Sequence, residues 1–169
     1  MKSKKEIELL KEAGCSDKVI EHVIAVAEAA LSIADEIKMP VDIELIRLGS
    51  LLHDIGRAKT HGIDHAVVGA QMAAEMGMDE RIIRIIERHI GAGISADEAH
   101  AMGLPYKDYL PISPEEKIVA HADNLLSGSR ITSFEESLHR FKNLLGIEPP
   151  AIERFLNLHN EIEGWKRQA

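Results

Sequence analysis

Apolar residues recur at helical spacing along almost the whole chain, and no segment alternates between apolar and polar residues as a half-buried strand would. Caps and glycines divide this pattern into separate helices. The predicted helices cover residues 4–13, 17–38, 43–55, 65–76, 80–90, 96–102, 114–127, 134–145 and 149–165. We therefore predict an all-α fold, a single-domain bundle of about seven to nine helices. Its core spans about residues 17–130, and the C-terminal helices of residues 133–167 pack on that core.

The ends of these helices follow from residues that favour caps. Ser and Asp side chains accept hydrogen bonds from the free N–H groups of a first turn, and a Glu three residues later completes a capping box. We expect N-caps at Ser16, Asp42, Asp64, Asp79 and Ser133, and capping boxes at Ser95–Glu98 and Ser113–Glu116. Gly56 is expected to end the third helix in a left-handed conformation, which glycine adopts without strain.

Composition limits the classes of function. Hydrophobic residues make up 45% of the 169 residues but aromatics only 4%, so the core must be aliphatic. The net charge of −8 argues against general nucleic-acid binding and against binding to anionic membranes. The single Cys15 excludes an internal disulfide. No apolar run reaches membrane-spanning length, and the charged start resembles no signal peptide, so we expect a cytoplasmic protein. Apolar Ile and Met faces on the terminal helices would permit a homodimer.

Ionisable residues stand where helical periodicity predicts core. They are His22, the adjacent His53 and Asp54, His89 and Asp123, and His65 adds an imidazole at the start of a helix. An unpaired buried carboxylate such as Asp123 would be strongly unfavourable, whereas one bound to a cation is stable. Taken singly, His22 and His89 could be ordinary core histidines, and Asp123 could pair with Arg84 or Arg88. A shared metal site accounts for all of them at once.

These residues resemble the motifs of the HD-domain superfamily of metal-dependent phosphohydrolases. His22, His53-Asp54 and Asp123 occur in the order that defines that superfamily, and residues 53–56 spell its HDIG variant. His65 to Gly69 and His89-Ile90 are similar to the two further histidine segments of members that hold two metals. Two positions depart from the pattern: Ile90 stands where a second histidine is common, and Arg57 stands where Lys is common. The Gly-Tyr-Pro signature of the cyclic-di-GMP-degrading branch is absent from the expected region.

The resemblance implies a helical bundle of the HD-domain type with one or two divalent transition-metal ions (Mn, Fe, Co, Ni or Zn). One ion would be held by His22, His53, Asp54 and Asp123. Asp54 would bridge to a second ion bound by His65 and His89, and His121 could complete that second site.

The function expected from this resemblance is hydrolysis of a phosphomonoester or phosphodiester by a metal-activated water, with a nucleotide as the small phosphorylated substrate. Asp54 and Arg57 would be catalytic. Arg57 would also bind substrate phosphate, with Arg130 and Lys59 as weaker candidates. His61 could protonate a leaving group or simply be exposed. The loop of Tyr106 and Tyr109 could wall the pocket or pack over the core.

Two other functions stay open. Some HD-fold proteins are di-iron oxygenases and would use nearly the same ligands. A non-catalytic module that binds a metal and a nucleotide would also carry them. His100, His139 and His159 fall outside the motif pattern, and we expect them at the surface.

Overall fold

Helices make up nearly all of the regular structure in this computed structural model, which describes residues 3–145 and 149–167. The helices are α1 (Lys4–Ala13), α2 (Asp17–Glu36), α3 (Ile43–Leu52), α4 (His65–Glu75), α5 (Glu80–Glu87), α6 (Ala96–Ala101), α7 (Pro114–Asn124), α8 (Phe134–Leu145) and α9 (Pro149–Arg167), with a 3₁₀ turn at Ile55–Ala58. Two antiparallel strands of two residues each, β1 (Leu126–Ser127) and β2 (Arg130–Ile131), form a small hairpin. The prediction of an all-α fold is confirmed. The hairpin was not predicted because two residues are too few to show a strand period.

Helix α2 is the centre of the main core. Its most extensive contacts are with α3 and α7, and Val23 and Val26 on its inner face are fully buried. Ile46 of α3 and Ile118 of α7 are also inaccessible to solvent. Burying aliphatic side chains of this size contributes about 1.5–3 kcal/mol each. This packing fixes the three helices relative to one another, and with them any side chain at their ends.

The predicted caps are mostly correct. Ser16, Asp42, Asp79, Ser95, Ser113 and Ser133 each accept a hydrogen bond from a backbone N–H of the following turn. The Ser95–Glu98 capping box is complete, because Glu98 also accepts from the Ser95 N–H. The prediction for Asp64 was wrong. Its carboxylate makes no cap bond and instead accepts from the hydroxyl of Thr60 in the preceding loop.

Glu116 does not close the second predicted capping box. Its buried carboxylate accepts from the backbone N–H of Ile112 and from the guanidinium of Arg88, 3.0 Å away. Arg84 lies 3.9 Å from the same carboxylate. A buried acid with these partners joins α5 to α7, so the residue serves tertiary packing rather than the box.

The C-terminal helices pack on the same core. Phe155, Leu158 and Ile162 of α9 are buried within it. Arg154 of α9 donates to the carbonyl of Gly93 and to the carboxylate of Glu98, which anchors α9 beside α6. This packing supports the single-domain organisation that the sequence suggested, which stays a prediction, as does the homodimer. None of the described helices combines the length and the apolar composition that crossing a bilayer requires.

The segment after α3 does not end as predicted. Helix α3 stops at Leu52, and Gly56 lies in the 3₁₀ turn without a positive φ, so the left-handed helix end was a wrong prediction. Gly56 is required for another reason. A Cβ at this position would lie 1.8 Å from the carbonyl oxygen of His65 and 2.8 Å from the backbone nitrogen of Gly69. The 3₁₀ turn can therefore touch the backbone of α4 only if residue 56 has no side chain.

This contact makes a testable prediction. Gly56→Ala should reduce the free energy of unfolding by about 3 kcal/mol or more, because the overlap is with backbone atoms that cannot rotate away. Gly164→Ala in α9 is the matched control, since nothing lies within 4 Å of its added Cβ. That change should stabilise the protein by about 0.5–1 kcal/mol. Denaturant unfolding measures both values, and a Gly56→Ala protein as stable as wild type would contradict the assigned role.

Candidate metal centre

Six side chains predicted as metal ligands lie together at one end of the bundle. His22 is on α2, His53 and Asp54 follow α3, and His65 is the first residue of α4. His89 follows α5, and Asp123 is in the last turn of α7. Three sets of these groups have donor atoms that all lie within 4.8 Å of one another: His22, His53 and Asp54; His53, His89 and Asp123; and Asp54, His65 and His89. Five separate segments of the chain thus supply one cluster.

Backbone carbonyls orient all four imidazoles. The Nδ1 atoms lie 2.5 Å from the oxygen of Gly128 for His22, 2.6 Å from Ser50 for His53, 2.8 Å from Gly62 for His65 and 2.7 Å from Ile86 for His89. A carbonyl oxygen can only accept, so each Nδ1 must carry the proton and donate it. In a neutral ring the Nε2 lone pair then points into the cluster, which is the arrangement that metal-binding histidines use.

The hairpin has a direct part in this arrangement. Residues Ser127 and Arg130 pair across its two-residue turn, and Gly128 takes a positive φ of 61° there. Such a turn favours glycine because the left-handed conformation strains other residues. The turn presents the carbonyl of Gly128 to His22, 106 residues earlier in the chain.

The two oxygens of Asp54 face different imidazoles. Oδ2 lies 3.6 Å from Nε2 of His22 and 3.7 Å from Nε2 of His53. Oδ1 lies 3.2 Å from Nε2 of His65 and 3.4 Å from Nε2 of His89. A carboxylate placed between two pairs of nitrogens in this way has the geometry of a bridge between two ions.

Several of these polar atoms lack the partners that burial requires. Nε2 of His53 is fully buried and has no hydrogen-bond partner among the described residues. The Nε2 atoms of His65 and His89 face each other at 3.1 Å, although both rings already donate through Nδ1. Two facing lone pairs repel unless a cation lies near them. The residues present therefore fit one or two divalent cations, with nitrogen and oxygen donors of the kind that transition metals accept.

The ionisation of the cluster agrees with this donor set. Burial raises the pKa of Asp54 and of Asp123, but the neighbouring imidazoles outweigh it and hold both well below the usual range. Burial also lowers the pKa of His53, yet the charges of Asp54 and Asp123 raise it to about 9. The carboxylates thus stay ionised, and protons on imidazole compensate them when no metal is bound. Metal binding would displace such protons, so metal affinity should fall as the pH falls.

The alternatives for single residues fail in the structure. Arg84 and Arg88 are within ion-pair distance of Glu116 and not of Asp123, whose carboxylate lies 2.9 Å from Nε2 of His22. His22 and His89 are not isolated core histidines, because both belong to the cluster.

The cluster forms part of the wall of a cavity of about 340 Å³. Arg57 also lines this cavity. It donates through Nη1 to the carbonyl of His61, and its Nε lies 3.7 Å from Asp54. The further lining residues are Ile63, Ile90, Gly91, Asn124, Leu126, Ser137, Arg140, Phe141 and Phe155.

Arg130 and Lys59 do not line the cavity. The Arg130 side chain is 70% exposed and pairs with Glu136 at 3.7 Å, and Lys59 faces solvent. Their predicted contact with substrate phosphate is therefore corrected. Both lie in polar turns, where sequence shows a charge but not the direction of its side chain.

Other histidines and the tyrosines also occupy positions that required the structure. His121 packs beside His159, with ring centroids 5.4 Å apart, so it does not complete the second metal site as suggested. His159 is not at the surface, because it is partly buried and stacks on Phe134 at 3.7 Å. His61, His100 and His139 are exposed, as expected. Tyr109 packs in a small second core and Tyr106 is exposed, so neither forms the cavity wall.

Sequence reasoning missed Arg140, Ser137 and Phe141, which α8 brings to the cavity. A signal was present. Ser137 falls in an apolar series at helical spacing with Phe134, Leu138 and Phe141, and it is 2% exposed. A polar residue in such a series can indicate that the helix covers a site rather than only a core.

Comparison with known proteins identifies the family. The model of the HD domain matches residues 19–128, about two thirds of the chain. The chain belongs to the HD-domain family. All six clustered ligands lie inside the matched region, and membership agrees with the expected divalent-metal cofactor.

Relatives of this HD domain occur alone and within longer proteins. An uncharacterised protein of Methanocaldococcus jannaschii is 51% identical over 96% of this chain and 97% of its own length. A tRNA (cytidine(56)-2'-O)-methyltransferase of Picrophilus torridus is 46% identical over 91% of this chain. A ribonuclease Y of Pseudothermotoga lettingae is 34% identical over 79% of this chain. The matched regions are only 44% and 23% of those two relatives, respectively.

A solved structure has the same fold. The HD domain of the L. monocytogenes phosphodiesterase PgpH, in complex with cyclic-di-AMP, aligns with a TM-score of 0.57 and 18% identity. The alignment covers 98% of this chain and 97% of that one. At this identity the likeness establishes the helical fold alone.

The central position of Asp54 can be tested directly. Asp54→Asn keeps the shape of the side chain but removes its charge, so bound metal should fall at least about 10–100-fold in affinity. Elemental analysis after dialysis measures the metal content, and circular dichroism should show unchanged helicity. Asp35→Asn, an exposed position on α2, is the control and should leave the metal unchanged. Wild-type metal content in Asp54→Asn would contradict the proposed cluster.

Proposed function

We propose that this protein is a metal-dependent phosphohydrolase that acts on a nucleotide phosphoester. The observation that carries the proposal is Asp54, whose two oxygens face two pairs of Nε2 atoms beside a cavity. This geometry supports two ions, the first held by His22, His53, Asp54 and Asp123, and the second by Asp54, His65 and His89. When bound, such ions activate water and polarise a phosphoryl oxygen.

The surroundings favour a small substrate. A cavity of about 340 Å³ is near the lower end of the size of small-molecule sites. The net charge of −8 disfavours binding along an extended nucleic acid. The named relatives concern tRNA, ribonuclease activity and a cyclic dinucleotide, and this supports a nucleotide or the end of an RNA as substrate. The methyltransferase activity is not carried over, because most of that relative lies outside the matched region.

The chain's own residues have distinct tasks in this proposal. The carbonyls that bind the four Nδ1 atoms hold the rings in one tautomer, so the ligand geometry is set before substrate arrives. Arg57 is held by the carbonyl of His61 at the edge of the cluster, where its guanidinium can contact a non-bridging phosphate oxygen. A positioned cation at that place stabilises the negative charge that develops during phosphoryl transfer.

The competing functions have different signatures. A di-iron oxygenase would use the same ligands but would need iron and O₂ for turnover. A metal-holding nucleotide module would bind a nucleotide without converting it. No described feature favours either over hydrolysis, and the experiment below separates all three.

The test is a screen of the manganese-loaded protein against nucleoside monophosphates, cyclic dinucleotides and bis-p-nitrophenyl phosphate. We expect phosphoester cleavage that does not depend on O₂ and is absent in Asp54→Asn. Arg57→Gln should lower kcat/KM by about 100-fold while the metal content stays intact, because it removes one positioned charge. Arg167→Gln, at the exposed end of α9, should match wild type.

Two outcomes would contradict the proposal. Cleavage of no phosphoester by protein with a full complement of metal would exclude hydrolysis of these substrates, and turnover that requires iron and O₂ would favour the oxygenase. Loss of both metal and helicity in Arg57→Gln would instead show that Arg57 is structural.

A further inference from the structure

The arginines of this acidic protein are nearly all paired with carboxylates. Of the nine arginines in the sequence, seven lie within 4 Å of an acid. Arg140 and Arg167 have no such partner among the described residues. Arg167 is exposed to solvent, whereas Arg140 is partly buried and lines the cavity that contains the metal cluster. An unneutralised guanidinium in a partly buried cavity is unfavourable unless an anion binds there.

Two backbone carbonyls hold Arg140 in place. Its Nη2 atom donates to the oxygens of Asn124, at 2.9 Å, and Leu126, at 3.1 Å. These carbonyls belong to the end of α7 and the start of the hairpin, directly after Asp123. A guanidinium has five N–H donors, and the three on Nε and Nη1 have no acceptor within the described ranges. The side chain is therefore fixed at one edge and has an unused edge of donors, which is the geometry that binds phosphate oxygens.

Arg57 cannot fully replace this cation. Its Nη1 already donates to the carbonyl of His61, and its Nε lies 3.7 Å from Asp54. Part of its charge is therefore offset by an acid of the cluster before any substrate binds. Arg140 has no comparable acid among the described residues, so it is the stronger attractor for an additional anionic oxygen.

An aromatic wall adjoins Arg140. The next residue of α8, Phe141, also lines the cavity, and its ring stacks on that of Phe155 with centroids 4.2 Å apart. A Cβ at Gly91 would lie 2.8 Å from the ring of Phe141, so glycine at this position leaves room for the aromatic wall. Ordered aromatic rings next to a phosphate site can contact a nucleobase or sugar.

We propose that Arg140 is a phosphate-binding residue for a nucleoside phosphate whose base or sugar contacts Phe141 and Phe155. This inference rests on the proposed function, in which the cavity is a nucleotide site. It adds a subsite supplied by α8, which lies beyond residues 19–128 matched by the family model. Specificity for the substrate would then be set outside the part of the chain that holds the metal.

Binding of AMP and adenosine to the manganese-loaded protein tests the subsite. Arg140→Gln should weaken AMP binding by at least about tenfold, because a charge-assisted pair is lost, and should change adenosine binding little. Isothermal titration calorimetry measures both affinities, and elemental analysis should show unchanged metal. Phe141→Ala should weaken both ligands. Arg167→Gln is the matched control, an arginine also without a described acid partner but outside the cavity.

A purely structural role is distinguished by Ser137→Ala. The Ser137 hydroxyl donates to the same Asn124 carbonyl as Arg140, so its loss disturbs the end of α7 but leaves the guanidinium in place. AMP affinity should survive this change even if the melting temperature falls. Equal loss of AMP affinity in Ser137→Ala and Arg140→Gln would overturn the proposal, as would wild-type AMP affinity in Arg140→Gln or failure of wild type to bind AMP.

The two proposals can fail separately. If AMP binds through Arg140 but no phosphoester is cleaved, the subsite stands and the hydrolase proposal fails. If cleavage occurs and Arg140→Gln leaves KM, kcat and AMP affinity unchanged, the hydrolase proposal stands and the subsite is wrong.

Discussion

The structure depends on one electrostatic constraint: two ionised carboxylates share a largely buried space with four imidazoles whose Nδ1 atoms are already committed to carbonyls. With those protons fixed, the remaining lone pairs and negative charges point at one another. Only positive charge can reconcile them, either as added protons on the rings or as bound metal ions. The raised pKa of His53 shows how strongly the site attracts protons, and the same attraction favours a divalent cation.

The helical bundle holds these groups in place through contacts that are not themselves polar. Packing of α2 against α3 and α7 brings His22, His53 and Asp123 together, and the close approach of Gly56 to α4 brings His65 next to Asp54. The hairpin after α7 then supplies the carbonyl that orients His22. A rigid apolar framework of this kind keeps the ligand geometry fixed before any ion binds, which reduces the reorganisation that binding requires.

The features predicted correctly from sequence are those with a local cause. Helical periodicity predicts the bundle, and cap residues such as Ser95 predict where helices begin. Ionisable residues at core positions drew attention to His89 and Asp123. Gly56 was misread because a glycine needed for a left-handed turn and one needed for close backbone approach look identical in sequence. Arg140, His159 and the Gly128 carbonyl were missed because their roles depend on how distant segments dock. Charges in turns, such as Arg130, carry no sign of the direction in which they point.

The most direct measurement of the central claim is anomalous diffraction from crystals of the manganese-loaded protein. The account predicts anomalous peaks within about 2.0–2.3 Å of Nε2 atoms of the clustered histidines, with Asp54 contacting each ion. A well-diffracting crystal with no peak inside the cluster, or with manganese bound only elsewhere on the surface, would contradict it. In that case the buried charges would be balanced by protons alone.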